Sequence, residues 1–264
     1  MRVLTRDSKR AGGLPAGVVR MTGDLRVLSD VKRAVGGCRA VISAVHGFVG
    51  PGKQSPELID RDANCRLIEV AKEAGVERFV LVSGQGAAED HALSLHRAKY
   101  AAEQALRASG LPFTILRPTA FLETWVGILD AMLVRKGHAL VFGPGTNPIN
   151  FVSVQDVAAL ALLALEDEAL RNEMVELGGP ENLSFVTLAE RVLAARQNEQ
   201  PIRHVPLPVL RLLSLVARPF SPDLARQTAA AVFMNTREQS FCDTSPQRFP
   251  ILPRTTLEQV LALA

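Results

Sequence analysis

His96 and Lys99 stand three residues apart in HRAKYAAEQALRASG, a stretch with helical spacing, so an imidazole and an ammonium share one helix face. Imidazole titrates near neutrality, and a pair of this kind could hand a proton to a reacting oxygen. The plainer reading is two solvent-facing charges on an alanine-rich helix. A second candidate is Arg117-Pro118-Thr119, which closes the strand-like run FTILRPT. Proline there stops strand pairing and turns the chain at the carboxyl end of a sheet, where ligands of open α/β sheets bind. Arg117 itself reads more simply as an anchor for the strand end through an ion pair.

The elements that must hold these residues alternate along the chain. Short β-branched runs (RVLT, VVRMTGD, RAVISAV, RFVLVSG, FTILRP, NFVSV) are separated by helix-like stretches (LSDVKRAVGG, PELIDRDANCRLIEVAKEAG, HRAKYAAEQALRASG, VQDVAALALLALEDEAL). Such alternation predicts an α/β fold, a doubly wound parallel sheet with helices on both faces. Turn residues gather in GHALVFGPGTNPINF, and from there the pattern is shorter and more helical. Residues 1–136 are therefore expected to form a nucleotide-binding layer. Residues 137–264 are expected to form a smaller, mostly helical substrate-side region, partly merged with the first. Trp125, Phe142 and Phe151 should pack between the two, and Asp156 should cap or orient the helix after NFVSV.

Composition narrows the classes. The chain has 264 residues, 47% hydrophobic and 22% charged, with a mean hydropathy of +0.14, enough to bury a large core. Its 30 basic and 27 acidic residues are interspersed, which gives nucleic-acid binding no support. Three scattered cysteines, Cys38, Cys65 and Cys242, make neither a disulfide framework nor a metal site and suit a reducing cytoplasm. No signal-peptide layout or membrane-spanning run is present. The helix at 207–220, apolar between Arg211 and Arg218, is expected to cover a substrate cleft; a membrane surface or a partner protein is the alternative.

The opening MRVLTRD resembles the second strand of a dinucleotide-binding fold, whose tip carries a charged residue that reads the adenosine ribose. Arg6 holds that place, with Lys9 and Arg10 behind it. The first strand, its glycine-rich turn and the helix that cradles the pyrophosphate would stand before it. None of GFVGPGK, SGQGAA or FGPGTNP supplies a G-x-G-x-x-G between a strand and a helix, so those glycines read as turns. The expectation is a sheet without its usual first βα unit and weak or no cofactor binding by this chain. The absent strand would lie mid-sheet, and its loss would remove a large share of the ~5–15 kcal/mol that stabilises a domain.

VRMTGDL, AVISAVHG, ANCRLIEVAKEAGVERFVLVSG, HRAKYAAEQALRASGLPFTILRPTAF, INFVSVQDVAALAL and LGGPENLSFVTLAERV resemble, in order, the NmrA-like branch of the atypical short-chain dehydrogenase/reductases. The resemblance implies a Rossmann-like fold that binds NADP, or NAD. It places Arg6 on the NADP 2′-phosphate, Asp24 near the adenine amino group, and Ala44, Val45 and His46 beside the cofactor ribose. The residues alone allow plainer roles: Arg6 as a solvated strand end, Asp24 as a cap of the helix near Leu28, and His46 as a surface turn.

The resemblance also implies that Ser83 orients a carbonyl, that Lys99 holds the nicotinamide ribose, and that Pro118 and Phe121 lie near nicotinamide and substrate. The family's Y-x-x-x-K pair is broken, because Leu95 stands where the tyrosine belongs and the only tyrosine, Tyr100, follows the lysine. The implied activity is reduction of a small carbonyl or quinone-like compound, with His96 or water as proton source. The alternative is a non-catalytic NAD(P)-sensing regulator or assembly factor.

Overall fold

The structure, a computed structural model, describes residues 1–6, 13–48 and 54–263. Lys9, Arg10 and part of GFVGPGK lie outside the described residues. In chain order the elements are β1 (Arg2–Thr5), β2 (Val19–Thr22), α1 (Leu28–Val35), β3 (Ala40–Ser43), α2 (Asn64–Glu73), β4 (Arg78–Val82), α3 (Ser94–Ser109) and β5 (Phe113–Pro118). There follow β6 (Ala120–Phe121), α4 (Leu122–Lys136), β7 (Leu140–Phe142), β8 (Pro148–Val152), α5 (Val154–Glu166), β9 (Glu173–Leu177), β10 (Asn182–Ser184) and α6 (Phe185–Ala195). The last are β11 (Arg203–Val205), α7 (Leu207–Val216), α8 (Pro222–Thr236), α9 (Ser245–Arg248) and α10 (Leu257–Leu263). The α/β class expected from the alternation is the one observed.

Two compact units divide the chain: residues 1–83, 87–115 and 164–173 form one, and residues 84–86, 116–163 and 174–264 the other. In the first, β4 is buried at all five positions of RFVLV, as a strand covered on both faces must be, and β3 pairs with it in parallel from Ala40↔Arg78 to Ser43↔Leu81. In the sheet order β3-β4-β5, the first half of β5, to Ile115, belongs to this unit. Apolar residues at helical spacing supply the layer against the sheet. Val31 and Val35 of α1, Leu67, Ile68 and Ala71 of α2, and Ala102 and Leu106 of α3 join Phe79, Leu81 and Ile115 in one core. Arg78, only 5% exposed, is matched by Glu168 at 2.6 Å.

β1 and β2 pair in parallel from Arg2↔Val19 to Thr5↔Thr22 as a separate two-stranded sheet. Among the described residues no strand joins β1 to β3. Instead the Arg2 guanidinium donates to the carbonyls of Ala34 (2.7 Å) and Gly36 (2.9 Å) at the end of α1.

The second unit has its own core, in which Leu122, Val126 and Leu129 of α4 meet Leu188, Val192 and Leu193 of α6, with Leu257 and Val260 of α10. Trp125 packs edge-on to Phe185 at 4.6 Å, and Phe151 meets the same ring at 5.9 Å, so both belong to this unit's own core. Of the two roles the sequence offered Asp156, capping α5 or orienting it, the structure shows the second. Its buried carboxylate accepts from the Thr255 N–H (3.0 Å) and hydroxyl (2.6 Å), while Glu123 takes the Val154 N–H (2.9 Å) at the helix start.

An isolated pair of strands is marginal in water, whereas β4 is buried throughout. Native-state hydrogen exchange should therefore find the β1–β2 amides exchanging at least ~100-fold faster than those of β4, a gap of ~2.7 kcal/mol in opening free energy.

Candidate active site

Asp60 and Lys99 line a tightly closed crevice in the first unit, together with Asn64, Leu81, Val82, Ser83 and Ala102. Asp60 lies in a π-helical segment, Glu57–Ala63, that runs directly into α2. Wide turns of this kind re-aim side chains and recur at functional sites. Here the turn buries Ile59, Asp60 and Ala63 together, so a carboxylate is turned inward among apolar neighbours.

A buried carboxylate needs partners, and the fold brings three. Lys99 of α3 lies 3.3 Å from its Oδ1, with the ammonium side chain 12% exposed, and also donates to the Val82 carbonyl at 3.2 Å. The Gly47 N–H donates to Oδ2 at 2.9 Å, and His46 Nδ1 lies 3.9 Å from Oδ1. Gly47 is required by crowding: a Cβ there would stand 2.8 Å from the carbonyls of Gln54 and Ser55 and from Ile59. Burial pushes the Asp60 carboxyl up, but the His46 imidazole, the Lys99 charge and the Gly47 amide outweigh it and hold it below the usual carboxylate value.

Around this pair stands a second set of buried polar groups. Asn64 donates to the Asp60 carbonyl (2.8 Å), and its Oδ1 accepts from the Ser43 hydroxyl (2.6 Å) at the end of β3. Ser83, one residue past β4 and 4% exposed, donates its hydroxyl to the fully buried Glu103. The same hydroxyl oxygen keeps lone pairs free to accept a further hydrogen bond. Lys99 and Glu103 are four apart on α3, so one helix face meets both Asp60 and Ser83.

The remaining sequence candidates fall at strand ends. Arg6 is exposed just past β1, and its charge helps to hold Asp24, just past β2, below the usual carboxylate range; the larger cause is the Arg26 side chain, hydrogen-bonded to both carboxylate oxygens. Asp24 does not cap α1, whose cap position is Val27. Its Oδ1 accepts from the Arg26 N–H at 2.9 Å in a turn ahead of the helix. Ala44, Val45 and His46 form the loop after β3, with Ala44 and His46 exposed.

His96 stacks on His91 with ring centroids 4.1 Å apart and is not among the crevice-lining residues. In the second unit, Pro118 ends β5 and accepts from the Gln85 N–H (2.9 Å), while Arg117 reaches Glu176 at 4.0 Å as the anchoring reading expected. Thr119 donates to the buried Asn150 Oδ1 (2.9 Å), which also takes the Gly179 N–H (2.7 Å).

Parallel strands whose carboxyl ends carry these groups define the class of dinucleotide-binding α/β proteins. Residues 1–168 match the family described as NAD(P)H-binding, and the chain belongs to that family. It is 30% identical over 205 residues to the NAD(P)H azoreductase of Xenophilus azovorans, covering 77% of this chain and 67% of that protein. It is 34% identical over 200 residues to subunit 9 of the NADH dehydrogenase [ubiquinone] 1 alpha subcomplex of Arabidopsis thaliana, covering 72% of this chain and 48% of that one. The chain thus spans about two thirds of the first relative and just under half of the second. The fold matches an Escherichia coli NADPH-dependent quinone oxidoreductase complexed with NADPH at a TM-score of 0.73 and 18% identity, over 99% of this chain and 89% of the other.

Asp60 titrates below its unfolded value of about 3.9, so its stabilising share is complete above that pH and is lost as pH falls through the depressed folded value. Chemical denaturation from pH 7 down to pH ~2.5 should show this acid loss, and Asp60→Asn should flatten it while lowering stability at pH 7 by about 3 kcal/mol.

Proposed function

We propose that the protein is an NAD(P)H-dependent oxidoreductase that reduces a small carbonyl or quinone-like compound in the cytoplasm. The observation that carries this reading is the buried Lys99–Asp60 ion pair at the carboxyl end of β4: an ammonium held at one point inside a polar crevice, which core packing does not require. The azoreductase relative supports it, being named for a reduction that uses NAD(P)H.

The residues fit the cofactor at its two ribose ends. Arg6, exposed and planar, would take the 2′-phosphate of NADP, which favours NADP over NAD. Asp24 would face the adenine, although Arg26 engages both of its oxygens. Ala44, Val45 and His46 would pass beside the ribose, Lys99 would hold the hydroxyls of the nicotinamide ribose, and Pro118 would border the nicotinamide. The glycine turns of the described residues offer no cradle of the G-x-G-x-x-G kind for the pyrophosphate.

When bound, the nicotinamide supplies a hydride. The chain's own part is to orient the cofactor through Lys99, to fix that lysine's position through Asp60, and to lock α3 against β4 through Ser83 and Glu103. Water would deliver the proton to the reduced oxygen, since His96, the other donor the sequence offered, is stacked on His91 and does not line the crevice. A second reading, a non-catalytic NAD(P)-sensing regulator or assembly factor, is favoured by Leu95 standing where the family's tyrosine belongs and by the relative that is a subunit of a larger complex.

NADPH oxidation followed at 340 nm with a panel of quinones, aldehydes and azo compounds separates the two. The reductase reading expects turnover with at least one class and a loss of about 100-fold or more in kcat/KM in Lys99→Ala, in protein whose circular dichroism is native. Absence of turnover with every class, together with measurable NADPH binding, would favour the binding module.

A further inference from the structure

The two helices α7 and α8 pack on each other, but α7 turns only a narrow stripe inward: Leu210 is 1% exposed, and Ala217, just past the helix, is also buried. Its opposite side is equally apolar. Val209, Leu212, Leu215 and Val216 are 44%, 62%, 59% and 56% exposed, and Phe220 in the following turn is 86% exposed. Positions 209, 212 and 216 recur at helical spacing, so these side chains form one continuous outward face rather than scattered exposures. A contiguous apolar face of this kind on a folded unit marks an interaction surface.

The charge around that face selects the occupant. Between residues 201 and 237 the chain carries Arg203, Arg211, Arg218, Arg226 and Arg237 and a single acidic residue, Asp223. Asp223 accepts from the Ser221 hydroxyl at 3.0 Å, at the start of α8. Arg203, Arg211 and Arg218 are exposed, and Arg211 and Arg218 project from one flank of the apolar stripe. A helix with bulky apolar residues outward and arginines along its flank has the pattern of an element lying in a lipid–water interface. No helix among the described residues is long and apolar enough to cross a membrane, so the contact is peripheral.

We propose that the outward face of α7, continued by Phe220, docks the protein on an anionic lipid surface, with Leu212, Leu215, Val216 and Phe220 entering the acyl boundary and Arg211 and Arg218 meeting headgroup phosphates. This is independent of the reductase reading, since it concerns where the protein sits and not what it turns over. The apolar burial holds the helix in the interface. The arginines make binding selective for anionic lipid, by about fivefold in partition for each one that reaches the surface, and make it sensitive to salt.

The test is vesicle flotation of the full chain with phosphatidylcholine alone and with phosphatidylglycerol added, alongside a Leu212→Glu/Leu215→Glu variant and a Arg211→Gln/Arg218→Gln variant. All four positions are exposed, so the variants should keep the native circular dichroism and melting temperature. The expected result is flotation with phosphatidylglycerol vesicles, at least tenfold less with phosphatidylcholine alone, reversal by high salt, and loss in both variants. Failure of the wild type to float with either vesicle would overturn the proposal, as would equal flotation of the glutamate variant. Sedimentation provides the remaining check: a wild-type dimer that the glutamate variant dissociates would assign the face to a second copy of the chain and also overturn it.

Discussion

A carboxylate that cannot reach water must be given a cation and hydrogen-bond donors, and Asp60 imposes that requirement on the whole first unit. Its fully buried position fixes what surrounds it: the Lys99 ammonium from α3, the Gly47 amide from the loop after β3, and the His46 ring beside it. Three segments distant in sequence are held together by one charge. The same demand explains why Gly47 has no room for a side chain and why Asn64 and Ser43 are tied to the turn that carries Asp60. A buried ion pair is a poor way to gain stability, since apolar residues of similar volume would serve as well or better. Its use here fits a site in which a positive charge must be kept at one place.

Much of the scaffold was legible in the sequence because period and turn chemistry act locally. RVLT, VRMT, AVIS, RFVLV and FTILRP all became strands, and the parallel sheet followed from the helices between them. The stretch LETWVGILDAMLVRK carries no clear helical pattern, although it forms the fifteen-residue α4. Its apolar residues are spread around the helix rather than gathered on one side, so the periodic signal is weak. β7, β10 and β11 have three residues each, too short to show an alternation.

The site was less legible. Lys99 was found through its motif, but its partner was not, because Asp60 sits in ELIDRDA among other charges and looks like part of a solvated helix face. Only the π-helical widening, which depends on the packing of Ile59 and Ala63, turns it inward. Glu103 was hidden in the same way within an alanine-rich helix. Asp24 and Asp156 both looked like helix caps from position alone, yet each found a stronger partner, Arg26 in one case and Thr255 in the other. Capping preference is worth about 1 kcal/mol, and a bidentate guanidinium or a second strong donor outcompetes it.

The most direct test of this account is calorimetric titration of NADPH into the wild-type chain and into Asp60→Asn at neutral pH. If the Asp60 charge is what holds Lys99 in place for the cofactor, the wild type gives saturable binding and the variant binds at least ~10-fold more weakly, a loss of about 1.4 kcal/mol. Equal affinities would contradict the role assigned to the ion pair, and absence of binding by the wild type would contradict the cofactor reading itself.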